Sequence, residues 1–305
     1  MTTKALLSVF KNSFQRFQIT IFIFLAVILC FSQKAYSQQD PQYKMYWNNY
    51  STFNPAATGI FAKHYAAING RKQWIDFPGA PQSANCIYDL RIDSLHNSLG
   101  VNYTYYKVGI ETNNQTNLNY SFRFNFKNDR ALNVGIGAGI YSKMIDFSLL
   151  SPYAIYDPFI PTGRRGPETQ FNLNFGVMYK TSHWLIGLSS THLTEPSFKE
   201  IGYQVARHYY FVSSCKINVS KSLEIKPGIL IKTDLSAGQI DANLLFTYKK
   251  WLWIGATYRP SDAVAFMGGI ELKQRYRLGY SYDYTTSKLR NYSHGSHEII
   301  LAFIL

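Results

Sequence analysis

The sequence predicts an all-β protein, a transmembrane antiparallel up-and-down β-barrel of about 14 strands behind a cleaved secretory leader. Three observations carry that expectation. Short stretches of strict apolar/polar alternation follow one another from residue 63 to 305, their connections are alternately tight and long, and the amino terminus has secretory character.

Residues 1–37 read as the leader. Lys4, Lys11 and Arg16 precede an uncharged apolar run over 19–31, about 13 residues and short of the roughly 18 or more that a membrane-spanning helix needs. Ala35-Tyr36-Ser37 offers small residues at the two positions a signal peptidase reads, which puts cleavage between Ser37 and Gln38. Cys30 invites a lipoprotein reading, but bulky Leu29 stands before it where a small residue is wanted. Residues 38–62 lack alternation and hold Asn54-Pro55; they are expected as a periplasmic or mouth segment, folded into the barrel mouth or packed below it.

Residues 63–305 form the expected barrel. In 117–127, Leu118, Tyr120, Phe122, Phe124 and Phe126 share one face, and Asn117, Asn119, Ser121, Arg123, Asn125 and Lys127 the other; period two means strand. Residues 170–180 and 276–285 repeat the pattern. The predicted strands are 63–71, 83–91, 98–108, 117–127, 131–144, 170–181, 183–193, 209–219, 223–233, 239–249, 251–260, 263–272, 276–286 and 297–305. Their lengths suit the roughly 9–11 residues of a tilted membrane-crossing strand. A soluble sandwich alternates too, hiding its apolar face, whereas a membrane barrel turns that face to lipid and its polar face to a wet lumen.

The connections favour the barrel. Even-to-odd links are tight (128–130, 182, 220–222, 250, 273–275, with 92–97 longer), while odd-to-even links run long: 72–82, 109–116, 145–169, 194–208, 234–238 and 287–296, with 261–262 the short exception. This is the asymmetry between periplasmic turns and exterior loops. The longest loop, 145–169, carries Pro152, Pro158, Pro161, Pro167 and Arg164-Arg165-Gly166, and is expected to be irregular, a lid or docking loop. Ser197 and Glu200 are spaced as a capping box that could begin a short helix.

Composition agrees. The chain is 46% hydrophobic and 16% aromatic, with 24 Tyr and 21 Phe, as aromatic girdles require; an aromatic-rich secreted β protein is the plainer alternative. The formal charge is +13; four of the 31 basic residues lie in the leader, which leaves 27 against 18 acidic. No basic arm stands out, so nucleic acid is not an expected partner; outer-membrane lipid is. Cys86 and Cys215 carry the apolar parity of their strands, which sends both to lipid without a disulfide.

Chemistry-bearing patterns are sparse. His294, His297 and Glu298 invite a metal reading, but alternation sends the two histidines to opposite faces, and no metal or cofactor is expected. Gly135, Gly137 and Gly139 resemble a phosphate loop, yet no helix follows, and lumen-side packing is the better reading. Ser189, Ser190, His192 and Glu195 could seed a hydrolase site but match no triad spacing. Arg123, Glu224, Lys226, Lys232, Asp241, Arg277 and Asp283 face the lumen and are expected to pair across it.

Several motifs, weak singly and specific in this order, carry a resemblance across essentially the whole mature chain: Gln39-Asp40-Pro41-Gln42, Asn54-Pro55-Ala56 with Gly59, Arg71-Lys72-Gln73-Trp74, Gly79-Ala80-Pro81, Arg207-His208-Tyr209-Tyr210, Lys226-Pro227 through Lys232, Trp253 through Arg259, Asp283 through Leu289 (with Ser287 and Lys288), and Gly295-Ser296-His297-Glu298. The chain resembles the PorP/SprF family of outer-membrane proteins, tied to type IX secretion and gliding motility in Bacteroidetes. It departs from that pattern at Ala57, where an aromatic is usual, and at terminal Leu305 in place of Phe. The resemblance implies a non-enzymatic barrel that contacts periplasmic type IX components and helps an adhesin or other cargo protein reach or stay at the cell surface. It singles out Asp40, Asn54, Pro55, Arg71, Gln73, Trp74, Arg207, His208, Asp283, Ser287, Lys288, His297 and Glu298 as motif or partner-contact residues. An outer-membrane porin or substrate-specific channel is the alternative.

Overall fold

The computed structural model describes residues 40–150 and 163–305; the leader, the Ser37/Gln38 position, and Pro152, Pro158 and Pro161 lie outside them. The architecture is that of the compact unit of residues 38–234 and 239–305. Fourteen antiparallel strands close into a barrel: β1 (His64–Lys72), β2 (Gln82–Ile92), β3 (Asn97–Val108), β4 (Glu111–Phe126), β5 (Arg130–Asp146), β6 (Arg164–Lys180), β7 (Trp184–Thr191), β8 (His208–Cys215, continued past Lys216 by Ile217–Asn218), β9 (Leu223–Thr233), β10 (Gly238–Tyr248), β11 (Leu252–Arg259), β12 (Ala263–Leu272), β13 (Tyr276–Thr285) and β14 (Ser296–Ile304). Each strand pairs with its sequence neighbours, and β1 closes on β14 from Tyr65↔Ile304 to Lys72↔His297.

Alternation is resolved in favour of lipid outside. On β4, Leu118 is 66% exposed while Asn117 and Asn119 are each 3% exposed, the reverse of a soluble sheet. Cys86 on β2 is exposed, Cys215 on β8 is half-buried, and both thiols are free. At one barrel end the links are tight, and Asn128-Asp129, Lys249-Lys250 and Lys273-Gln274 each place two successive residues at positive φ, the backbone that matches the twist of a two-residue hairpin. That end is the turn end; the opposite one is the loop end.

Two predicted loops are partly strand. β4 begins at Glu111 rather than 117, so the link before it shrinks to residues 109–110, and β6 begins at Arg164 and carries Pro167 within it. Residues 111–116 are polar at every position but still pair with β3 and β5. With polar residues on both faces, the alternation that marks a membrane strand is missing there. Ser197 begins no helix: Ser197–Phe198 pairs with Tyr203–Gln204 as a small hairpin.

The lumen is filled. Residues 40–62 run through it as short turns, Tyr46–Asn48, Tyr50–Phe53 and Pro55–Ala57, which form a plug. Met45, Tyr46, Trp47 and Tyr50 pack on inward Met178 (β6), Tyr210 and Val212 (β8), Leu230 (β9), Leu245 (β10), Trp253 (β11), Met267 (β12) and Ile300 (β14). The wet lumen expected from parity is thus dry over much of its wall. Burying a large apolar side chain contributes about 2 kcal/mol against about 1 for a hydrogen bond, so these rings supply most of the hold and polar contacts set the position.

Candidate functional site

The plug and the wall it touches form the candidate site. Near the turn end, Asn54 caps the Pro55–Ala57 turn through its Oδ1, which accepts from Ala56 N at 3.0 Å. Its Nδ2 donates to the carbonyls of Val177 on β6 and Leu188 on β7, at 3.2 and 3.3 Å. Pro55 sits at the first position of that turn, where a missing N–H costs nothing. Gly135 leaves room for it: a Cβ there would meet backbone atoms of Pro55 and Ala56, and one at Gly176 would meet Asn54 Oδ1. Gly135 is therefore packed on the lumen side as expected.

Inward asparagines and serines of β3–β5 complete the plug's hydrogen bonds where water would serve in an open pore. Ser51 O accepts from Asn102 and Asn119, at 2.6 and 2.9 Å, and Ala56 O from Ser121 and Asn133, at 3.2 and 3.1 Å. These satisfied carbonyls let irregular backbone stay buried. Arg277 Nη1 donates to Asn48 Oδ1 at 2.5 Å and its Nη2 to Glu271 at 2.6 Å.

Toward the loop end three buried cations, Lys44, Arg71 and Arg259, face three buried carboxylates, Asp241, Asp283 and Glu298. Arg71 bridges Asp283 (2.5 Å) and Glu298 (3.1 Å), and Arg259 is bidentate on Asp241 at 2.7 and 2.9 Å. Glu298 also accepts the backbone N–H groups of Lys44 and Met45, at 2.6 and 3.0 Å. Lys44 Nζ lies 3.7 Å from Asp241 and 4.0 Å from Asp283, too far for a direct hydrogen bond. Burial and then Arg259 push its ammonium down to about 8, against the opposing pull of Asp241 and Asp283.

The predicted pairing of lumen charges is therefore redrawn. Asp241 and Asp283 pair with wall arginines and the plug lysine, Arg277 with Glu271 on the adjacent strand, Glu224 with Lys216 at 3.0 Å, and Lys232 with a plug carbonyl. Arg123 and Lys226 have no carboxylate within ion-pair distance among the described residues. The plug occupies the space across which the charges were expected to meet.

Asp40 sits highest on the plug. Its Oδ1 lies 2.9 Å from His192 Nε2, and its Oδ2 accepts from Tyr210 OH at 2.7 Å and Thr191 Oγ1 at 3.3 Å. Lys232 Nζ donates to its carbonyl at 3.0 Å. Burial alone would raise the Asp40 carboxyl, but His192, His208 and Lys232 together hold it well below the usual range. A cavity of about 50 Å³ adjoins it, lined by Tyr43, Tyr46, Leu230, Lys232 and Asp241 among others.

The structure thus brings Asp40 to His208, and Arg71 to Asp283 and Glu298. Of the other motif residues, Asn54 and Pro55 lie in the plug, as described above, and the rest lie on the rim or the outer wall. Trp74 N donates to Ser296 Oγ at 3.1 Å, Gln73 N to Pro81 O, and Ile75 exchanges backbone hydrogen bonds with His294 and Gly295, so the 73–81 and 286–295 links run together. Ser287 N reaches Asp262 O, and Lys288 begins a short turn, Lys288–Asn291. His297 turns outward to Tyr280 OH at 2.5 Å, and His294 pairs with exposed Asp76, so neither joins Glu298 around a metal. Arg207 pairs with Glu195 on the surface, while His192 is buried on Asp40 and, among the described residues, the hydroxyls of Ser189 and Ser190 have no hydrogen-bond partner; the four residues of the hydrolase reading do not converge on one another.

The profile of the type IX secretion system membrane protein PorP/SprF matches residues 35–303 of the chain. The chain belongs to the PorP/SprF family. Among solved structures it is similar to the Ralstonia pickettii toluene transporter TbuX, at 11% identity over 82% of this chain and 91% of that one, TM-score 0.50. It is also similar to the Acinetobacter baumannii outer membrane protein Omp33, at 6% identity over 81% and 100%, TM-score 0.47. No curated protein sequence matches it significantly. At 11% identity the likeness to TbuX shows the barrel fold alone. The family, together with the closed barrel itself, makes the PorP/SprF chain an outer-membrane protein of the type IX secretion system.

Lys44, Asn48, Lys232, Asp241 and Arg259 belong to this PorP/SprF plug site and were not singled out from sequence as plug contacts. One signal was available. Met178, Leu230, Leu245, Trp253, Met267 and Ile300 carry the inward parity of their strands, and apolar residues facing a lumen imply something apolar within it.

Proposed function

We propose that this PorP/SprF barrel is a non-enzymatic partner of type IX secretion that helps an adhesin or other cargo protein reach or stay at the cell surface. The observation that carries the reading is the docked plug: wall residues from seven strands, β6, β8–β12 and β14, pack on Met45, Tyr46, Trp47 and Tyr50. A barrel filled by its own chain is suited to holding a protein at its rim. The loop end supplies surface for that contact, because the 73–81 and 286–295 links are zipped together there and the 192–207 link carries a hairpin. In this reading the loop end faces the exterior and the tight turns face the periplasmic machinery.

Affinity isolation of the tagged chain from detergent-solubilised outer membrane, after mild cross-linking, tests the proposal. Recovery of type IX components or a large surface protein is expected. A bare barrel with steady single-channel conductance in planar bilayers would instead establish the porin reading.

A further inference from the structure

We propose that Asp40, His192 and His208 form a binding site for one divalent transition-metal cation of zinc type, which ties the plug to the wall at β7 and β8. Each of the three brings one ligand atom to within 4.8 Å of the others. Two imidazoles and a carboxylate make a donor set that such ions favour.

The hydrogen bonds fix which ring nitrogens are available. Asn174 Oδ1 accepts the backbone N–H of His192 at 3.1 Å and Asn172 Nδ2 at 3.3 Å. Asn172 therefore presents its Oδ1 to His192 Nδ1, 3.1 Å away, and that nitrogen must carry the proton. In the neutral ring Nε2 is then a bare lone pair, 2.9 Å from Asp40 Oδ1. His208 repeats the arrangement: its Nδ1 is 3.1 Å from the carbonyl of Ala206, which can only accept. Its Nε2 has no hydrogen-bond partner among the described residues, although His208 is only 2% exposed. Ligating histidines are oriented in this way, with the far nitrogen donating to an amide or carbonyl oxygen.

A plain imidazolium–carboxylate pair accounts for His192 and Asp40 but leaves His208 Nε2 buried and unused, which is unfavourable for a polar atom. A shared cation engages all three. Metal–ligand distances of about 2.0–2.2 Å require the three ligand atoms, which lie within 4.8 Å of one another, to draw together, and a cavity opens on the Asp40 side of the cluster. Lys232, 3.0 Å from the Asp40 carbonyl, opposes the ion. Its removal in Lys232→Met is therefore expected to tighten binding.

The test uses full-length protein refolded or extracted in detergent with a histidine-free affinity tag, titrated with zinc chloride or cobalt chloride. One tightly held ion per chain and the visible bands of four-coordinate cobalt are expected. His208→Ala and the His192→Ala/His208→Ala double variant should lose it at least tenfold, with the heat-dependent gel shift of a folded barrel retained. If instead wild type holds no more zinc than the double variant, the cluster is a hydrogen-bonded latch only and the proposal fails. Should either variant misfold, Asp40→Asn, whose backbone contact to Lys232 is kept, replaces it with the same expected loss and the same overturning result.

Discussion

Glu298 Oε2 accepts the backbone N–H of Lys44 at 2.6 Å, joining the last strand to the plug across 254 positions of sequence. The same side chain takes Met45 N, Asn69 Nδ2 and Arg71 Nη1. One wall carboxylate thus fixes both the path of the plug backbone and the neighbouring cation.

Glu298→Ala leaves two plug amides unpaired and Arg71 with Asp283 alone, and loss of one member of a buried ion pair costs about 3–5 kcal/mol. The plug is expected to become protease-sensitive within a barrel that still shows its folded gel mobility, with Glu298→Gln losing less. A Glu298→Ala plug as protected as wild type would show that the carboxylate does not hold it.

Gly135→Leu should block plug docking while leaving strand pairing intact, because a side chain there enters the backbone of Pro55 and Ala56. Raised single-channel conductance relative to wild type is the expected readout. Unchanged conductance with a fully protected plug would mean that the β5 wall and the Pro55 turn are not in contact.

Alkaline pH should tighten the plug through Lys44. Its ammonium is ordinarily at 10.5 and is lowered to about 8 when docked, first by burial and then by Arg259. Between these values the undocked state binds more protons, so docking strengthens as pH rises through the window, by up to roughly 3 kcal/mol, and the Lys44 contribution is flat below it. The phenols of Tyr43, Tyr46 and Tyr50, raised by burial, act with the opposite sign above about 10. Hydrogen exchange of the plug amides from pH 7.5 to 9.5, with Lys44→Met as reference, isolates the effect; a wild-type plug that loosens relative to that variant would refute it.

Cys86 and Cys215 lie on the outward parity of β2 and β8. Equal mobility on reducing and non-reducing gels is expected, together with labelling of Cys86 by a lipid-soluble maleimide in preference to a membrane-impermeant one. A mobility shift would contradict the strand arrangement.

Strand positions were legible wherever lipid enforces period two. The predicted 263–272 coincides with Ala263–Leu272, whereas 117–127 misses the loop-end pairs of Glu111–Phe126. The missed residues, 111–116, are polar on both faces, so no period-two signal marks them. Arg71, Asp283 and Glu298 belong to separate sequence motifs and form one cluster in the fold. The histidines of the 294–298 motif, where a metal was weighed, turn away, while Asp40 and His192, 152 positions apart, meet in the lumen.

By itself the sequence determined the barrel, its strand number and its membrane face, because alternation and link length are local properties that one solvent boundary dictates. The tertiary structure alone decided that the lumen is occupied and by which residues. Inward parity places a side chain inside without saying what it meets there, and the partners in this plug, as far apart in the chain as Lys44 and Glu298, meet only once the barrel has closed around it.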